Sequence, residues 1–261
     1  MSDQNIKKAI SEILRGHGFE VTQLPEGQQR TPDLLVVKDQ RYLIEIKTKE
    51  DDPALIAERS RRLKAGEIVK SGAPFTPQNT MSRIIRDGVE QLGSYPPQDH
   101  DLCLLWLLAV GSDVESQYEQ FRGTLYGLTN VVGPDTYPLI PCYYFRNSAF
   151  YRWPELVGSV VSTLDHAELC INSYSPRAAS LRTSSRAQVF GTAVTDPAKR
   201  EAEGRAYVAD CEIDRRNKEE VLRYVEKKYQ RPALMTMDLG TVIHQLLEEA
   251  DEGVIGSRLP R

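Results

Sequence analysis

The sequence has no apolar run long enough to cross a membrane: the longest, Leu102 to Val110, is only strand-sized. It is sparing with thiols and imidazoles. Four cysteines, Cys103, Cys142, Cys170 and Cys211, stand singly in the later chain, without the paired spacing of a zinc site. They are expected to serve as small buried apolar side chains in a reducing compartment, three of them within strand-like runs. The four histidines are equally dispersed, and His17, between Gly16 and Gly18, reads as part of a helix-ending turn. No fixed-period repeat is present. The opening Met-Ser-Asp-Gln-Asn lacks a signal-peptide pattern, so a cytoplasmic location is expected. What remains is ordinary: 40% apolar and 27% charged residues over 261 positions exclude a wholly disordered chain. That length suits one α/β domain with additions or two small domains.

The most informative stretch runs from Thr31 to Glu50. Leu34 to Lys38 and Tyr42 to Thr48 are apolar, β-branched runs of strand length around the polar residues Asp39, Gln40 and Arg41, which predicts a hairpin. Pro32 cannot donate to a ladder and marks its first strand's start. In the second run, period-two alternation sets Leu43, Glu45 and Lys47 on one face and Tyr42, Ile44 and Ile46 on the other. A two-residue turn at Asp39 and Gln40 would set Asp33 against Ile46 and turn it away from Glu45. A three-residue turn, Asp39 to Arg41, sets Asp33 against Lys47 on the Glu45 face. Chemistry between these groups requires that odd turn or a bulge, and one of the two is expected.

Pro32-Asp33 followed by Glu45-Ile46-Lys47 resembles the PD-(D/E)xK nuclease superfamily. The resemblance implies that Asp33, Glu45 and the Ile46 carbonyl hold Mg²⁺ or Mn²⁺, with Lys47 placing or polarising the attacking water. Hard cations do favour carboxylate and carbonyl oxygens, and an ammonium beside a phosphoryl group stabilises developing negative charge. A surface hairpin with an ordinary Glu–Lys pair is the bland alternative. The superfamily's first helix often supplies another acid. The helix predicted from Asn5 to Arg15 offers Glu12, at the rim of its apolar face, as a further catalytic and metal-binding candidate; a Glu four residues after Lys8 is also a common solvated pair. On the helix predicted from Asn79 to Tyr95, Gln91-Leu-Gly-Ser-Tyr95 resembles the QxxxY pattern of RecB-like nucleases, which implies Gln91 near the catalytic groups and Tyr95 near nucleic acid. The iron–sulfur CxxC of some members is absent. The resemblance covers roughly residues 5 to 110.

Other elements follow from pattern alone. Phe19 to Leu24 and Leu102 to Val110 read as strands, and Pro25-Glu26-Gly27 as a bend. Asp52-Pro53 opens a helix carrying Arg59, Arg61, Arg62 and Lys64, which could track a phosphate backbone or simply be solvated, and a loop with Lys70, Gly72, Pro74 and Pro77 follows. Val114 to Leu125 is an amphipathic helix, Tyr137 to Trp153 a hairpin, Leu156 to Leu164 a short helix and Glu168 to Asn172 a strand. Ser173 to Arg186, with Tyr174, Arg177, Arg182 and Arg186, reads as a mobile basic loop for nucleic-acid backbone or as a solvated linker. Tyr207 to Ile213 and Ala233 to Leu239 are predicted strands, Lys218 to Tyr229 and Thr241 to Ala250 predicted helices.

These readings predict an α/β three-layer sandwich on a mixed, restriction-endonuclease-like sheet in residues 1–111, with a basic insertion at 51–79. Residues 112–261 are expected to form an α+β region that completes this core or stands as a second small domain. The implied activity is metal-dependent hydrolysis of nucleic-acid phosphodiester bonds, with DNA expected and restriction or defence as the setting. The alternative is a non-catalytic nucleic-acid-binding or assembly module of the same fold. A protein partner or homo-oligomer through the C-terminal half is a third expectation, and no membrane is expected. The net charge of −4 requires nucleic acid to be met by local patches.

Overall fold

The computed structural model describes residues 2–25, 31–67, 79–95, 101–111, 113–134 and 139–237. Helix α1 (Asp3–Gly16) buries the stripe Ile6, Ile10 and Leu14 and ends at His17 and Gly18, the glycine at φ +77°. Strands β1 (Glu20–Gln23), β2 (Leu34–Val37) and β3 (Arg41–Glu50) form an antiparallel meander. Helix α2 (Pro53–Lys64) starts as its sequence directs, with the Asp52 carboxylate accepting from the Ala54 N–H, but buries no residue. Helix α3 (Asn79–Ser94) buries Met81, Ile85, Val89 and Leu92, and leads to β4 (Leu102–Val110), parallel to β3.

The remaining elements are α4 (Val114–Tyr126), β5 (Thr129–Val132), β6 (Ile140–Tyr143), α5 (Ala149–Arg152), β7 (Leu156–Ser162), β8 (Ala167–Ile171), α6 (Ala178–Thr183), α7 (Ser185–Phe190), β9 (Val194–Thr195), α8 (Pro197–Ala202), β10 (Tyr207–Val208), α9 (Lys218–Tyr229) and β11 (Met235–Met237). A mixed seven-stranded sheet runs β1-β2-β3-β4-β7-β8-β9, so the C-terminal half supplies three of its strands. A second sheet runs β10-β6-β5-β11. Alternation in β3 divides the core as expected. Tyr42, Ile44 and Ile46 pack with α1 on one face, and Leu43 packs with α3 and α4 on the other. A third cluster, including Val131, Cys142, Val221 and Val225, ties the second sheet to α9. Among the described residues no helix is long and apolar enough to cross a membrane.

Several expectations are corrected. Leu156 to Leu164 is not a helix but the central strand β7, buried at every position; a short apolar run has no period that separates the two, and Val157, Val160 and Val161 favour the strand. Tyr137 to Trp153 is not a hairpin: after β6 the chain turns through Tyr144, at φ +60°, into α5, and residues 135–138 lie outside the described set. The basic stretch to Arg186 is neither loop nor linker. It forms α6 and α7, and Arg186 is fully buried among the rings of Tyr42, Trp106 and Phe190, at 5.8, 5.4 and 6.0 Å. The strand predicted at Tyr207 to Ile213 shortens to β10, and the one predicted from Ala233 begins only at Met235, as β11, with residues 238 and 239 outside the described set. The loop around Lys70, Gly72, Pro74 and Pro77, the Glu26-Gly27 bend and the helix at Thr241 to Ala250 lie outside the described residues.

Candidate active site

The hairpin register decides whether the acidic groups meet. Leu34 pairs with Ile44 and Val37 with Arg41, so the turn is Lys38-Asp39-Gln40. It has three residues, as chemistry required, but begins one residue earlier than expected; extended one step, the ladder sets Asp33 level with Glu45 rather than Lys47. The parity is unchanged, and the Asp33 carboxylate sits at the open edge of β3, between the Ile46 N–H and Lys7 of α1. Beyond Leu34 the β2 ladder has ended, and the Asp33 carboxylate takes its place: Oδ2 accepts the Ile46 N–H at 2.7 Å. In a strand the N–H and C=O of one residue leave on the same side. The Ile46 carbonyl therefore also leaves the strand toward Asp33.

Four charged side chains meet there. Lys47 Nζ lies 2.6 Å from Glu45 Oε1 and donates to Gln91 Oε1 at 3.1 Å. Gln91 is itself fixed, donating Nε2 to the Thr31 carbonyl at 2.8 Å. Lys7, from α1, lies 2.7 Å from Asp33 Oδ1. Asp33 and Glu45 are buried. Burial pushes the Glu45 carboxyl up to about 8 and the nearby Asp33 charge adds to the rise, against the opposing hydrogen bond and charge of Lys47. The groups open on a polar cavity of about 170 Å³, to which α1 contributes Asp3 and Lys7. Gly88 of α3 makes room for Lys47: a Cβ there would stand 2.7 Å from Leu105 Cδ2 and 3.3 Å from Lys47 Cγ.

A cation has a donor set in this cavity. Glu45 Oε2 is buried and makes no hydrogen bond among the described residues, so it is left over as a donor atom for a cation once Lys47 has taken Oε1. Two carboxylates and a carbonyl suit a hard cation that keeps several waters. Asp3 also lines the cavity, but among the described residues no three His, Cys, Asp or Glu side chains are grouped to hold a metal ion, so any such ion would rest on Asp33 and Glu45.

The other expected site residues lie elsewhere. Glu12 does not reach the cavity: it is exposed and its near partner is Lys8, at 4.0 Å. The rim position that nominated it faces solvent, while the first turns of α1 overhang β3. Tyr95 packs, half-buried, against the apolar layer beneath α3 and is not among the cavity's lining residues. Arg61 and Arg62 are closed on Glu58 and Glu67, and Arg59 and Lys64 share their exposed helix. Arg177 donates to the Asp101 carbonyl at the opposite end of β4, and Arg182 forms a two-point pair with Asp196. Sequence reasoning missed Lys7, Asp3 and Gly88. Lys7 adjoins Ile6 on an amphipathic helix and reads there as solvated; a glycine inside the α3 stripe was the one readable signal.

Comparison with protein-family models, with curated proteins and with solved structures finds no match.

Proposed function

We propose that this chain is a metal-dependent nuclease of the PD-(D/E)xK type, with the larger sheet as a restriction-endonuclease-like core and DNA as the preferred substrate. The observation that carries the reading is the convergence of Asp33, Glu45, Lys47 and Gln91 on one small polar cavity. Asp33, Glu45 and the Ile46 carbonyl would hold Mg²⁺ or Mn²⁺, which supplies Lewis-acid charge to a phosphodiester and makes water a stronger nucleophile at neutral pH. Gln91 orients the Lys47 ammonium, which can order the attacking water or stabilise charge on a non-bridging phosphate oxygen. Lys7 is placed to neutralise Asp33 when no cation is bound. Restriction or defence suits such an activity, and a cytoplasmic location goes with it.

One observation favours the non-catalytic module: each buried carboxylate already has an ammonium partner, Lys7 or Lys47, so the pair is neutralised without metal. Incubation with circular plasmid, linear duplex, single-stranded DNA and RNA, in Mg²⁺, Mn²⁺ or EDTA, separates the two. The nuclease reading expects cleavage of DNA that EDTA abolishes. Salt-sensitive binding with no cleavage of any substrate would establish the module instead.

A further inference from the structure

The β9 edge of the larger sheet carries a second concavity, about 650 Å³ in volume, that shares no residue with the cavity at Glu45. Small-ligand sites commonly run from ~300 to ~1,000 Å³. β3 and β9 are four strand steps apart, roughly 19 Å at normal strand spacing. Ile171, Ala187 and Val194 form an apolar wall. Around it stand Arg182, Lys199, Arg200 and Arg205, with Asp196 the one carboxylate in the lining.

That carboxylate is already engaged. It accepts from Arg182 Nε at 2.7 Å and Nη2 at 3.1 Å, and from the Ala198 N–H at 3.1 Å. Arg205 pairs with Glu203. Lys199 and Arg200 differ: among the described residues neither has a carboxylate within ion-pair distance, and Arg200 donates only to the Thr195 hydroxyl, at 3.0 Å. Arg61 and Arg62, by contrast, are paired, with Glu58 on α2 and with Glu67 just beyond its end. In a chain of net charge −4, two uncompensated cations facing one cleft repel each other and focus positive potential there. An anion relieves both effects.

We propose that this cleft binds a nucleoside phosphate, with the phosphate on Lys199 and Arg200 and the base on the wall of Ile171 and Val194. The volume exceeds what inorganic phosphate fills, and the apolar wall has no use for a bare anion. A free nucleotide and the phosphorylated end of a nucleic acid present the same group. The inference does not depend on the nuclease reading.

The test is calorimetric titration of the full chain in EDTA with ADP, and with a trinucleotide carrying either a 5′-phosphate or a 5′-hydroxyl. The parent is expected to bind ADP or the phosphorylated trinucleotide, more weakly at higher salt. The Lys199→Gln/Arg200→Gln double variant is expected to bind about tenfold or more weakly, since each lost contact is charge-assisted. Lys199→Glu, at an exposed position, repeats the loss without threatening the fold. Glu45→Gln is expected to leave this binding unchanged. Preference for ADP assigns the cleft to free nucleotides, and preference for the phosphorylated trinucleotide assigns it to nucleic-acid ends. Absence of binding to either phosphorylated probe, or parent affinity in the double variant, overturns the proposal.

Discussion

Lys7 and Lys47 divide two buried carboxylates between them, so a divalent cation entering the cavity must displace at least one ammonium. Lys7→Met is therefore expected to tighten Ca²⁺ or Mn²⁺ binding by about tenfold or more, as removal of one charge a few ångströms away implies at an effective dielectric of ~20. Calorimetry checks this; weaker cation binding would mean that Lys7 organises Asp33 rather than competing for it. Glu45 makes a pH prediction. Its carboxyl is raised from 4.5 to about 8 in the folded protein, so between those values the folded state binds more protons than the unfolded state and stability falls as pH rises. Below about 4.5 the group is protonated in both states and has no effect; above about 8 the full cost stands. In EDTA, the stability of Glu45→Gln relative to the parent should grow from pH 5 to pH 9, by an amount on the order of a few kcal/mol. A constant difference across that range would contradict the shifted carboxyl.

Elements carry the site as much as its charged groups do. Helix α3 reaches β3 closely because Gly88 has no side chain, and the Lys47 stem runs through that gap. Gly88→Ala improves helix propensity by about 1 kcal/mol yet drives a methyl group into Leu105, and overpacking costs about 1–3 kcal/mol. Lower melting temperature together with slower single-turnover cleavage is expected; a lower melting temperature with an unchanged rate would make Gly88 a packing residue only. Under α7, Arg186 buries three guanidinium nitrogens without a hydrogen bond among the described residues, and burial pulls its pKa down to about 10. Three aromatic rings offset part of that cost. Arg186→Met, which fills similar space without the charge, is expected to raise the melting temperature by several degrees, an increment of about 1 kcal/mol; a fall would mean that the rings more than repay the desolvation. Of the two, only the glycine inside the α3 stripe leaves a signal in sequence. Arg186 follows a run of serines and reads as solvated. Strand β3 was legible, because its alternation matches its two packed faces, and the three-residue length of the turn followed from what the acidic pair needs although the turn was placed one residue late. The overhang of α1 above β3 was not, since nothing local to Lys7 says which strand end it will meet.

At the scale of the whole molecule, the strand holding Glu45 and Lys47 lies inside a seven-stranded sheet whose far half comes from residues 156–195. The first 110 residues supply every lining residue of the cavity at Glu45, while β7 and β8 cover the other edge of β4 and keep that part of the sheet from ending exposed. The expected nucleic-acid contacts are largely closed on internal partners: Arg61 and Arg62 on α2, and Arg177 and Arg182 within the C-terminal half. The central claim is that Asp33 and Glu45 form one cation-dependent hydrolytic site, and the most direct test compares parent, Asp33→Asn and Glu45→Gln for cleavage of plasmid and linear duplex in Mg²⁺ and Mn²⁺. Circular dichroism confirms folding, and calorimetry reads cation affinity. The account predicts that both variants fold, bind the cation more weakly and lose cleavage by ~100-fold or more. Cleavage at the parent rate by either folded variant would contradict it.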